Sequence, residues 1–265
     1  MNIFIHELKS YSRSTFIWIA ALAAFIIMFM AVYPAFSNDV ENTRKLFEAF
    51  PETARKALGL ILDNFFTLLG FFSYTFMYVI LCGAIQAMHL GTSILSKEVR
   101  DKTADFLMTK PVSRKKIMTA KLLAVLGSIV ATNIVCVLVA GGMLEIINST
   151  GYDVKAFIMV SATLFFIQLI FAAMGVLVSM VIPAIKSVLS ISLGTVFGFF
   201  ILNMFDSVIG KEAIRYLTPF KFFDLNRIIK EGSYETPFLI VGIVFVIVAI
   251  TASYIIYGKR SIHAV

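Results

Sequence analysis

Residues 65–88 read FFTLLGFFSYTFMYVILCGAIQAM, without a single Asp, Glu, Lys or Arg. Crossing the hydrocarbon core of a bilayer as a helix takes about 20 apolar residues at ~1.5 Å of rise each. This stretch is long enough. Its apolar residues do not alternate with polar ones, as those of a barrel strand would. Lipid offers no partner to a backbone N–H or C=O, and a helix satisfies both within one segment. The stretch therefore predicts a membrane-spanning α-helix.

Five further stretches have the same character: 15–33, 122–144, 156–181, 187–205 and 237–257, again without Asp, Glu, Lys or Arg. Composition agrees. Hydrophobic residues make up 59% of the 265, charged residues 15%, and mean hydropathy is +0.90. Soluble domains run at roughly 45–50% apolar and about 25% charged. With 26 Phe and 12 Met against 15 Gly and 6 Pro, disordered and collagen-like chains are excluded. The expected class is an all-α integral membrane protein, one transmembrane domain over 1–265 with six spans. The first apolar run exceeds the ~7–15 residues of a signal peptide, and no small-x-small site follows it. An uncleaved first span is expected.

Six spans place the N-terminus, the 89–121 and 182–186 loops and the C-terminus on one side. That side carries thirteen basic and four acidic residues, and the other carries ten and twelve. The positive-inside rule assigns the first group to the cytoplasm. The net charge of +7 then follows from topology and calls for no nucleic-acid partner.

The long cytoplasmic loop lies between spans two and three and reads SILSKEVRDKTADFLMTKPVSRKKIMTAK over 93–121. Lys97 to Arg100 continue the second span. Thr103 caps a short helix whose apolar face is Phe106, Leu107 and Met108, and Pro111 ends it. Ser113 caps the next helix, with Arg114, Lys115 and Lys116 at headgroup level. On the residues alone, the segment is either a headgroup-anchored loop or a docking element.

The 1–13 segment puts Phe4, Leu8 and Tyr11 on one helical face, with Glu7, Lys9 and Arg13 largely elsewhere. It reads as an interfacial helix. Outside, Leu46, Phe47, Phe50, Ala54, Ala57, Leu58 and Ile61 pattern the first loop as short amphipathic helices. Tyr216, Phe220, Phe222 and Phe223 populate the last. Gln86, Asn133, Gln168 and Asn203 are neutral polar residues inside spans, with His89 just past the inner end of the second. They line a pathway or hydrogen-bond between helices. No intramembrane carboxylate is present, as a proton- or sodium-coupled carrier would require. Gly83, Ala84, Gly141 and Gly142 suit close helix packing.

No G-x-x-x-x-G-K-[ST] phosphate loop occurs, since Gly210-Lys211 and Gly258-Lys259 lack the rest of it. H-E-x-x-H, G-x-S-x-G and paired-cysteine metal signatures are missing too. Catalytic, cofactor-binding and metal residues are therefore not expected. Cys82 and Cys136 read as small core hydrophobes.

The run KEVRDKTADFLMTKPVSRKKIMTAK resembles the cytoplasmic loop of ABC-2-type transporter permeases. The matching positions are Glu98, Thr103, Phe106, Leu107, Pro111, Ser113, Arg114 and Lys121. The family's usual glycine before the threonine is Lys102 here. TPFKFFDLNRIIKEGSYE at 218–235 and the ending YIIYGKR resemble further family segments, so the likeness spans essentially the whole chain. It implies a type V exporter-like fold whose loop is a coupling helix, docked on a separate cytoplasmic P-loop ATPase present in two copies. ATP and Mg would be bound by that subunit. Phe106 and Leu107 would be the buried anchors, and Glu98, Arg100 and Arg114 the polar rim. The resemblance also implies a second permease chain, a bacterial cell membrane, and export of a hydrophobic or amphipathic substrate. A non-transporting immunity, assembly or sensory protein using the same loop is the alternative.

Overall fold

A computed structural model describes residues 3–100, 112–147, 151–182, 185–210 and 212–259. The described residues form helices and turns without strands. In chain order the helices are α1 (Ile3–Asn38), α2 (Val40–Glu48), α3 (Glu52–Ala57), α4 (Leu62–Phe65) and α5 (Leu68–Arg100). They continue with α6 (Arg114–Ile147), α7 (Val154–Val181), α8 (Val188–Ile209), α9 (Glu212–Arg215), α10 (Leu225–Glu231) and α11 (Thr236–Lys259). A 3₁₀ turn occupies Pro219–Lys221. Six of these, α1, α5, α6, α7, α8 and α11, are long and apolar enough to cross a membrane.

Three boundaries differ from the sequence reading. Helix α1 runs unbroken through Arg13, Ser14 and Thr15, so the 1–13 segment is the first span's own extension rather than a separate interfacial helix. No Pro or Gly interrupts it there. The same helix also passes Pro34, the expected loop start, and ends at Asn38. Phe65, expected to open the second span, belongs instead to α4. The α5 helix starts three residues later, where the Thr67 hydroxyl accepts from Gly70 N–H, a side-chain cap on an otherwise orphan donor.

At ~1.5 Å per residue, α1, α5 and α6 each exceed about 45 Å, well beyond a ~30 Å hydrocarbon core. The excess lies on one face. There Tyr11 of α1 meets Ser93 of α5 at 2.9 Å, and Thr119 of α6 meets Tyr254 near the end of α11 at 2.7 Å. The start of the chain, both flanks of 101–111 and the end of α11 therefore share a face. The short helices α2–α4, α9 and α10 occupy the opposite one.

Helices α5 and α7 form the centre, packed along their length, with α1 on α6 and α11 on α7 outside them. Their backbones touch. A Cβ on Gly91 would lie 2.2 Å from the Ala172 carbonyl oxygen, and one on Gly175 would lie 2.6 Å from that of Met88. Small residues permit this approach, which maximises van der Waals contact where lipid supplies no hydrophobic drive. Of the glycines singled out from sequence, Gly83 belongs to this seam, and Ala84 is fully buried. Gly142 has nothing within 4 Å of a built Cβ, and Gly141 meets Phe157 only at ordinary contact distance.

The opposite face is held down by charge. Arg215 pairs with both carboxylate oxygens of Glu235 and stacks 4.0 Å from the Phe238 ring centroid. Arg227 reaches the same carboxylate at 2.7 Å. Tyr234 donates to the Met159 carbonyl at 2.7 Å, and burial pushes its hydroxyl up to about 12, so it remains a donor at neutral pH. Removing Glu235 leaves two guanidiniums without their common partner. Glu235→Leu is expected to cost about 1–2 kcal/mol, because the cluster is partly solvated. Trypsin applied to that face should cut after Lys230 about tenfold faster, as read by a proteolysis time course.

Candidate functional site

The face that carries the 93–121 segment is built around one buried cation. Lys121, on the second turn of α6, is 0% exposed. Its ammonium donates to the Glu7 carboxylate of α1 at 2.9 Å and to the Ile94 carbonyl of α5 at 2.9 Å. The charge is satisfied inside the protein, as burial demands. Glu7 is on the same face of α1 as Tyr11 and Thr15, all buried, at i, i+4 and i+8. A further link joins Lys97 of α5 to Ser10 of α1 at 2.7 Å. Three helix ends are thus tied together beside the 101–111 segment.

This corrects one sequence reading. Glu7 was expected away from the packed face, and it lies on it. Lys121, named among the ATPase-coupling residues, has a buried ammonium that joins three helices. The signal was present in the spacing: Glu7 and Tyr11 are one turn apart, and a buried cation requires a carboxylate. Among the other coupling residues, Ser113 is exposed and Arg114 is half-buried at the start of α6. The Ser113 hydroxyl accepts from Lys116 N–H at 3.4 Å. Glu98 and Arg100 fall on the last turn of α5, and their side chains are outside the described residues. Thr103, Phe106, Leu107 and Pro111 also lie outside the described residues.

The polar residues of the spans divide into two groups. Gln86 of α5 donates to Thr132 of α6 at 2.8 Å. Gln168 of α7 donates to Gln86 at 3.1 Å and to the Gly83 carbonyl at 3.3 Å. Asn133 of α6 donates to Gln168 at 2.6 Å. This network joins three helices and leaves no charge in the membrane. Most of its polar atoms are bonded to one another, while Asn133 Oδ1 has no hydrogen-bond partner among the described residues. Thr132 was missed, because a span threonine normally bonds its own helix; it also donates to the Ser128 carbonyl at 2.9 Å. His89 is half-buried on α5, just past the apolar run and within the helix. Asn203 of α8 stands apart and lines a cavity on the opposite face.

Gln168 is the hub. Gln168→Leu is expected to cost about 1 kcal/mol, the usual scale of interhelical hydrogen bonds in membranes. The result should be a fall of a few degrees in Tm in detergent. A fall far beyond that would mean that the network holds the three helices in register.

Comparison with known proteins agrees with this architecture. A family model described as ABC-2 family transporter protein matches residues 1–262. No curated protein and no solved structure matches the chain. Six apolar spans, the tie beside the 93–121 segment and a family match over nearly all of its length give one conclusion: this multi-pass membrane protein belongs to the ABC-2 transporter family.

Proposed function

We propose that the chain is the permease subunit of an ATP-driven exporter. It works beside a second permease chain and two copies of a separate cytoplasmic P-loop ATPase, in a bacterial cell membrane. The N-terminus, the 89–121 loop and the C-terminus face the cytoplasm in this reading. ATP and Mg²⁺ belong to the partner, and this chain supplies the path and the receiving lever.

The observation that carries the reading is the three-helix tie. A force applied to 101–111 acts on the ends of α5 and α6, which flank it. Through Lys121 and Glu7 the same force reaches α1. Further into the membrane, the Gln86–Gln168–Asn133 network passes it to α7. Packed helices with satisfied polar networks move as rigid pieces rather than bending. Movement of the partner would therefore reposition whole spans. Phe106 and Leu107 serve as apolar anchors on the partner, with Glu98, Arg100, Thr103, Pro111, Ser113 and Arg114 around them.

The substrate class follows from charge placement. Among the described residues, the buried charged side chains are Glu7, Lys121 and Asp206, all toward helix ends. The buried polar groups between them are neutral. Such an interior suits a hydrophobic or amphipathic cargo, a drug, lipid or peptide, over an ion or free sugar.

Phe106→Asp tests the coupling. A charge placed at an apolar anchor costs several kcal/mol of docking. A P-loop ATPase should co-elute with the native chain in mild detergent and vanish from the Phe106→Asp preparation, while the variant still inserts. An ATPase retained by the variant would refute the anchor role. Absence of an ATPase from both samples would favour the non-transporting reading.

A further inference from the structure

The loop face encloses a cavity of about 420 Å³ between the short outer helices, α5, α7 and α8. That volume is within the range of small-molecule sites, about 300–1,000 Å³. Its inner wall is apolar: Met77 and Ile80 of α5, Ile167 of α7, and Phe65. Its outer wall is polar: Asn203 and Ser207 of α8, Lys221, Asp224 and Asn226. An apolar well under a polar rim is the shape of an amphiphile site.

The polar wall is also short of partners. Asn203 is 7% exposed. Its backbone carbonyl accepts from Ser207, but among the described residues its side-chain amide makes no hydrogen bond. One turn along α8, outside the cavity lining, Asp206 is 6% exposed, and among the described residues its Oδ1 has no hydrogen-bond partner. Lys221 approaches Asp206 Oδ2 only to 3.9 Å, too far for a hydrogen bond. Buried polar groups are almost always satisfied. Asn203, unbonded on the cavity wall beside a loosely held ammonium, points to a ligand that completes it.

The groups also define the head. Asp224 accepts, Lys221 donates, and Asn203, Ser207 and Asn226 do both. Lys56, also on the wall, is paired with Glu52, and Lys221 and Asp224 offset each other, so a charged head gains little here. Hydroxyls donate and accept in the same group and match this mixture. We propose that the cavity binds a single-chain amphiphile with an uncharged, hydroxyl-rich head. The chain lies along Met77, Ile80 and Ile167, and the head rests on Asn203, Ser207 and Lys221. This site is a property of the chain alone and does not rest on coupling to an ATPase.

The test uses the full chain in phosphatidylcholine nanodiscs. Trp18→Phe removes the one native tryptophan, and Phe220→Trp places a reporter in the cavity wall. The probe is an alkyl glucoside brominated along its chain, which quenches nearby tryptophan. Quenching should saturate and be reversed by the unbrominated glucoside. A phosphocholine with the same chain should compete at least tenfold less well. Asn203→Leu should raise the half-saturating concentration about tenfold, and the milder Ser207→Ala about threefold. Quenching that rises linearly with probe content, without competition, would mean bilayer partition and would overturn the site. Saturation untouched by both variants would overturn the placement of the head. Equal competition by the phosphocholine would overturn the head class.

Discussion

Lys121→Met is expected to be among the most damaging single substitutions in this chain. Methionine fills most of the lysine's volume, so the change removes a charge rather than opening a cavity. Glu7 then keeps a buried carboxylate without its ammonium, and the Ile94 carbonyl loses a donor. Breaking a buried ion pair from one side costs about 3–5 kcal/mol. Expression and Tm in detergent should both drop sharply. Neutralising the partner as well should restore much of the loss, so Glu7→Gln with Lys121→Met is expected to be more stable than Lys121→Met alone. Fitting that double-mutant cycle separates a pairwise tie from general damage. If the two losses simply add, the tie is not an energetic pair.

The second large effect falls on the α5–α7 seam. Gly91→Ala adds a methyl carbon that would lie 2.2 Å from the Ala172 carbonyl oxygen, and that obstacle is backbone. The helices have to separate by about an ångström or more, and Gln86 and Gln168 part with them. Overpacking of this kind costs about 3 kcal/mol, and Gly91→Leu should not yield a folded monodisperse protein. Position decides the outcome, not glycine content. At Gly83 the obstacle is the tip of Leu164 at 2.4 Å, which can turn aside, so Gly83→Ala should cost less. Gly142 has nothing within 4 Å, and Gly142→Ala should be neutral or slightly stabilising through helix propensity. Thermal unfolding of the three alanine variants, side by side, ranks them.

Much of the architecture was legible from composition and spacing. Charge-free runs marked the six spans, because a charge in hydrocarbon is costly and a helix alone satisfies its backbone there. Phe47 and Ala54 correctly suggested short helices between the first two spans. Boundaries were less legible. Hydropathy marks where the apolar run stops and not where the helix does, so α1, α5 and α6 extend past their apolar runs through polar residues that pack on each other.

The sequence by itself determined that the chain is an all-helical membrane protein with its basic residues concentrated at one set of ends. That followed from transfer energies, which depend on residue type. Only the tertiary structure decided which spans are interior. Leucine against lipid and leucine against protein are nearly equivalent, so hydropathy cannot separate the largely buried α5 from the largely exposed α11. Nor can it assign partners. Lys121 was legible only as one position of the family resemblance, and its use as an internal tie depended on Glu7 arriving from 114 residues away. Gln168 and Asn203 are similar side chains in similar spans. One is spent on its neighbours and the other faces a cavity, because helix rotation in the packed bundle, rather than residue chemistry, sets what each one meets.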